Sequence, residues 1–207
     1  MRLLFFVLIT LSFVACKKEN EPEPVDNRLF VKFDVNGVET QFENGIDNYG
    51  NGLGRVSYLD NVGPLNSQFT LFSTDTSDST FGRNTIKIQM VELKDDSIIP
   101  TFAQAFALFT PGIYNYGSAI EDSISGGVNG VVIEYVDSDS TVWSSDSKIE
   151  APAEWSDFEI TSHKEVDEEL YAGQTKGTFN CLLFNQQGSQ LELRNGSFHA
   201  RTILRIN

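Results

Sequence analysis

The chain offers little for covalent chemistry: two Cys and two His, set among 29 Asp and Glu in 207 residues. Cys181 lies in Thr178-Phe179-Asn180-Cys181-Leu182-Leu183-Phe184, on the strand face that carries Phe179 and Leu183. No His or basic residue adjoins it to lower the thiol pKa, so its expected role is that of a small buried hydrophobe and not a nucleophile. A zinc site needs three or four His, Cys or carboxylate ligands, and His163 and His199 form no pair with helical or hairpin ligand spacing. Each is expected to be a solvated or hydrogen-bonded surface residue, with His199 on the outer face of the last strand.

The acids invite two further readings. Asp75-Thr76-Ser77-Asp78 and Asp137-Ser138-Asp139-Ser140 place oxygen ligands at alternating positions, but neither has the central Gly and distal Glu of an EF-hand loop. Turn chemistry accounts for both, because Asp and Ser side chains bond nearby backbone. A structural calcium clamping such a loop is the one cofactor these residues leave open. Glu134, Asp157, Glu159 or others of the 29 acids would suit an envelope hydrolase, yet a catalytic carboxylate pair is defined by separation in space, so spacing nominates none. Gly50-Asn51-Gly52-Leu53-Gly54 lacks the Lys-Ser and the helix of a phosphate loop, and reads as a flexible connection. Trp143, Trp155 and Tyr171 remain as candidate ligand-binding residues, since flat aromatic faces on loops stack on sugars or hold a protein partner. The plainer expectation is that both Trp pack beneath loops as part of the core.

Residues 1–15 carry Arg2, an unbroken apolar run from Leu3 to Ile9, further apolar residues at Leu11 and Phe13, and a small Ala15. This is the layout of a secretory signal, shorter than the roughly 20 apolar residues that span a bilayer. Phe13-Val14-Ala15-Cys16 resembles the lipobox of bacterial lipoproteins, with Phe13 where that family usually has Leu. The resemblance implies cleavage before Cys16 and acylation of its thiol and new amine. Two or three acyl chains, each burying about 0.8 kcal/mol per methylene, anchor a protein almost permanently. The following Lys17-Lys18-Glu19-Asn20-Glu21-Pro22-Glu23-Pro24 has no apolar residue and predicts a disordered tether over 16–27. The Cys-Lys-Lys-Glu start is similar to lipoproteins of Bacteroidota-type bacteria. Lys17 is not the Asp that retains some lipoproteins in an inner membrane, which favours the outer membrane, on its periplasmic or its cell-surface side.

The net charge is -14, and loss of Arg2 with the leader leaves -15, so nucleic acid and anionic lipid are not expected partners. With Cys16 committed to the anchor, Cys181 has no disulfide partner and the domain over 28–207 depends on its core. Of 16 Phe, three stand in the leader and 13 remain for that domain.

Alternation predicts the fold. Leu29, Val31, Phe33 and Val35 face one way, Asn36-Gly37 follows, and Val38, Thr40 and Phe42 alternate again, which predicts a type I′ hairpin. Residues 44–54 read as loop. Strands are expected at 55–59, 68–74, 85–93, 113–116, 131–136, 141–144, 158–162, 177–184, 190–194 and 197–206, with Asn195-Gly196 as a hairpin turn. Phe102, Ala105, Phe106 and Phe109 fall at helical spacing before Pro111-Gly112, so a helix of two to three turns near 100–109 should cover an end or face of the sheets. The expected fold class is all-β: an antiparallel β-sandwich, jelly-roll-like, of about ten strands with that one short helix.

Gly112-Ile113-Tyr114, the tract 131–143, Phe158-Glu159-Ile160-Thr161, Gly177-Thr178-Phe179 and Asn195-Gly196-Ser197-Phe198 resemble a recurrent layout in Bacteroidota lipoproteins of unknown function. The resemblance covers roughly the C-terminal half and implies a β-sandwich without a particular activity. The expected function is a lipid-anchored, non-enzymatic envelope protein binding a glycan or protein partner. Alternatives are a barrel-like carrier of an apolar ligand and a hydrolase using paired carboxylates.

Overall fold

The computed structural model describes residues 28–46, 49–51, 56–57, 64–73, 84–93, 102–117, 130–146, 156–167 and 172–203. Cys16, the tether, Trp155, Tyr171 and the loop Asp75-Asp78 lie outside the described residues. β1 (Phe30–Val35) and β2 (Val38–Glu43) form the expected hairpin. Asn36 and Gly37 take φ of 50° and 82°, the two positive values that a type I′ turn requires. Val31, Phe33 and Phe42 are buried, as the alternation demands.

The strands that follow are β3 (Tyr49–Asn51), β4 (Val56–Ser57), β5 (Pro64–Ser73) and β6 (Thr85–Leu93). β3 falls within the stretch expected to be loop. Its Tyr49, Gly50 and Asn51 pair with Ser73, Phe72 and Leu71, and that ladder overrides the poor strand propensity of Gly and Asn. After α1 (Phe102–Ala107) come β7 (Gly112–Tyr114), β8 (Gly130–Val136), β9 (Val142–Ser144), β10 (Asp157–Asp167), β11 (Ala172–Phe184) and β12 (Gln190–Ile203).

The fold is an antiparallel all-β sandwich. One layer runs β2-β1-β12-β11-β10-β7, and the other runs β3-β5-β6-β8-β9 with β4 beside β5. The sheet folds over where β11 outruns β10 and its last residue, Phe184, pairs with Ser144 of β9. A second link joins the layers at the Tyr116–Val131 bridge. The path ends at β2 and β3 without joining them, so the sheet is not a closed barrel. Between the layers, Phe33 meets Tyr135 edge-on at 5.6 Å. Ile86, Ile88, Met90, Val131 and Ile133 complete the far wall of the same core.

The centre of the near wall is a reciprocal arrangement in β11 and β12. Gly177 pairs with Phe198, and Phe179 pairs with Gly196. Each ring lies over the glycine opposite it. A Cβ on Gly177 would stand 2.6 Å from the Phe198 ring and 2.3 Å from the Glu159 carbonyl oxygen, and one on Gly196 would stand 2.6 Å from the Phe179 ring. The rings run on, with Phe33 to Phe179 at 6.1 Å, Phe179 to Phe198 at 6.4 Å and Phe198 to Phe158, stacked, at 5.6 Å.

Asn195-Gly196 is not a hairpin turn. It lies inside β12, which runs unbroken from Gln190 to Ile203 and merges the two strands expected there. Asn195 has a φ of 53° but Gly196 is not among the positive-φ residues, so the chain bulges instead of reversing. The register shifts there against both neighbours, between Lys32 and Asp34 of β1 and between Phe179 and Cys181 of β11. A row of polar side chains holds the bulge. Asn195 Nδ2 donates to Asp34 at 2.7 Å, Asn195 N–H donates to Asn180 Oδ1 at 2.8 Å, and Asn180 Nδ2 donates to Asp157 at 2.7 Å.

α1 has six residues, shorter than expected, because Phe109 N–H and Thr110 N–H bond back three residues to Phe106 and Ala107 and tighten the turn before Pro111. Phe109, just past the helix, is its fully buried anchor.

Gly177→Ala is expected to cost about 2–3 kcal/mol, because its methyl group collides with backbone as well as with the ring. Phe198→Ala is expected to cost about 3–5 kcal/mol. Urea denaturation checks both, and an unaltered midpoint for Gly177→Ala would contradict the packing described.

Candidate functional site

Two turns at the β9 end of the sandwich are built alike. One, Asp137 to Thr141, joins β8 to β9, and the other, Asn185 to Ser189, joins β11 to β12. Asp137 Oδ1 accepts the N–H groups of Asp139 and Thr141, both at 2.9 Å. Asn185 Oδ1 accepts those of Gln187 at 3.0 Å and Ser189 at 2.8 Å. The backbones match as well: Asp137 N–H donates to Thr141 O, and Asn185 N–H to Ser189 O, each at 3.1 Å. In the fourth position both chains are left-handed, with φ of 64° at Ser140 and 79° at Gly188. Glycine holds that conformation without penalty, whereas Ser140 holds it at about 1 kcal/mol.

Between the turns runs a groove of about 290 Å³ lined by Ser140, Thr141, Val142, Asn185, Gln186 and Gln187. None of these side chains is charged. They present hydroxyl and amide groups beside one exposed apolar surface, Val142. Sequence reasoning passed over the second turn, Asn185-Gln186-Gln187-Gly188. The signal was its match to Asp137-Ser138-Asp139-Ser140, an Asx residue three positions before a residue that takes positive φ.

Trp143, a candidate stacking residue, follows the plainer expectation and supports this end of the fold from beneath. It is half-buried against the core, and its Nε1 donates to Asp137 Oδ2 at 2.9 Å. Desolvation pushes the Asp137 carboxyl up, but hydrogen bonds from Trp143, Thr141 and Asp139 outweigh it and hold the pKa below the ordinary value. The acid of the tempting calcium motif thus has three N–H partners on its two oxygens. Among the described residues, no three His, Cys, Asp or Glu side chains converge as a metal site.

His163 lies far from the groove. It pairs with Thr175 of β11, nine residues before Phe184, or roughly 30 Å at strand rise. It is not a solvated surface residue. Its ring is stacked on Phe109 at 5.5 Å and set against Phe106 at 5.4 Å, and it occupies the space over Gly173, where a Cβ would come within 2.6 Å. Nδ1 lies 2.9 Å from Thr175 Oγ1, and Nε2 is buried with no hydrogen-bond partner. Desolvation lowers its pKa below 6.5, so the imidazole is neutral at pH 7. His199, also expected at the surface, is 2% exposed, with Phe30 of the adjacent strand edge-on to it at 6.5 Å.

Cys181 is buried in the core as expected, and burial pushes its thiol pKa far up. Burial does the same to the neighbouring Tyr116, whose hydroxyl donates to the Asn180 carbonyl at 3.0 Å. Of the three carboxylates considered for hydrolysis, Asp157 and Glu159 share the exposed face of one strand two residues apart, and Glu134 stands away from both. Glu134 sits in β8 beside Lys87, at 3.7 Å, while Asp157 and Glu159 lie exposed in β10 of the other layer. No family model, curated protein or solved structure matches the chain, so its function has to be read from these residues.

Asp137→Ala is expected to cost about 2–3 kcal/mol by stranding three N–H donors, and to shift tryptophan fluorescence to the red. Because its folded pKa is depressed, the contribution of Asp137 is fully present above pH 4 and is lost as pH falls through the folded value. For His163, whose folded pKa is also depressed but which is a base, stability is complete above about pH 6.5 and declines as pH falls below it. Thermal melts from pH 8 to pH 5 should therefore show a loss that His163→Gln lacks. Parallel pH profiles for the two chains would contradict the neutral, desolvated state of the ring.

Proposed function

We propose that this chain is a lipid-anchored protein of the bacterial outer envelope whose β-sandwich binds a glycan or protein partner and performs no covalent chemistry of its own. The observation that carries this reading is where the polar groups are spent. Cys181 is sealed in the core, the His163 ring is clamped between Phe106, Phe109 and Gly173, and the Asp137 carboxylate is consumed by its own turn. In contrast, Thr141, Gln186 and Gln187, which carry hydroxyl and amide groups, line a groove between two hydrogen-bonded turns. A preformed polar groove favours recognition, since little ordering entropy is lost on binding.

Cys16 after the apolar leader supports the anchor, and the charged, proline-bearing segment 17–24 supports a tether that lifts the domain from the membrane. The lipobox and the motifs of the C-terminal half favour a lipoprotein of the Bacteroidota type. In the sandwich, the Gly-Thr-Phe and Asn-Gly-x-Phe motifs are the reciprocal glycine–phenylalanine pairs, a packing role consistent with a scaffold and silent on ligand. The acidic net charge disfavours nucleic acid as a partner.

Expressed with a clickable fatty acid, the chain should take up label and fractionate with outer membranes, and Cys16→Ser should abolish both. Label retained by Cys16→Ser would remove the anchor from the proposal.

A further inference from the structure

We infer that the groove between the Asp137–Thr141 and Asn185–Ser189 turns is a binding site for an uncharged oligosaccharide. This rests on the binding role proposed above and gives that role a site and a ligand class. The charge pattern selects the ligand. Among the described lining residues none carries a charge, and the net charge of -14 repels anionic polymers before contact. The available groups then narrow the choice. Asn185 spends its Oδ1 on the turn and leaves its Nδ2 for a ligand. Together with the Thr141 hydroxyl and the two glutamine amides it offers donors and acceptors side by side, which suits sugar hydroxyls that both give and take hydrogen bonds. Val142, 44% exposed, supplies an apolar surface for the C–H face of a sugar ring.

Both walls are rigid for the same reason, an Asx side chain closing each turn with two short hydrogen bonds, so the polar groups are held in place before the ligand arrives. At about 290 Å³ and open on one side, the groove takes a short segment of a chain and leaves the rest in solvent. Trp143 lies under one wall and positions it through Asp137, so it is a positioning residue and not a stacking platform.

The test uses the full-length lipoprotein in detergent against an array of neutral oligosaccharides with acidic and basic glycans as comparison, followed by calorimetric titration of the best neutral binder. Thr141→Val and Gln187→Ala, which remove polar groups without entering the core, should each weaken binding about 3- to 10-fold and leave the melting temperature unchanged. Binding of no neutral oligosaccharide, or of charged glycans alone, would overturn the inference. Neutral binding that both variants leave intact would overturn the groove as the site and leave the binding role standing. Capture of an envelope protein with no glycan bound would likewise refute the ligand class while sparing that role.

Discussion

Two glycines and two phenylalanines that exchange places across the β11–β12 ladder carry the rest of the structure. Phe198 covers Gly177 and Phe179 covers Gly196, so each ring packs against a neighbouring backbone where a side chain would collide with it. From there the rings of Phe33 and Phe158 extend the packing to β1 and β10. In a chain whose one cysteine within the domain has no disulfide partner, this aromatic layer supplies the cohesion that a cross-link gives disulfide-bonded domains.

The same strands set the geometry at both ends. β11 is long enough to pair with β10 along most of its length and with β9 at its tip, so one strand connects the His163 end to the groove end. The bulge at Asn195 increases local twist in β12 and is locked by side chains of the two adjacent strands, Asp34 of β1 and Asn180 of β11, the latter braced by Asp157 of β10. At one end a six-residue helix and Phe109 cap the core over a neutral histidine, and at the other two matched turns leave a polar trough.

Much of this was legible in the chain. Period-two alternation and Asn36-Gly37 fixed the first hairpin because both turn residues tolerate positive φ, and the helical spacing of Phe106 and Phe109 marked the cap. The same dipeptide at Asn195-Gly196 misled, since a local signal cannot tell a reversal from a bulge when Gly196 stays out of the left-handed region and lateral hydrogen bonds keep the strand running. The histidines misled for a related reason. His163 follows polar Thr161 and Ser162, and His199 alternates with the inward-facing Phe198 and Ala200, while their packing comes from groups distant in the chain, Phe106 and Phe109 for one and Phe30 for the other.

By itself the sequence determined the all-β class, the apolar run ahead of Cys16, the acidic balance and the role of Cys181 as core, because composition, period and neighbouring residue types are local properties. Only the tertiary structure decided that Trp143 braces a turn and that Glu134 stands apart from Asp157 and Glu159. It alone brought Thr141 and Gln187, 46 positions apart by their numbers, to the two sides of one groove. Those outcomes depend on strand register and on where β11 crosses to β9, and register is set by the packing of the whole sandwich and not by any single stretch of chain.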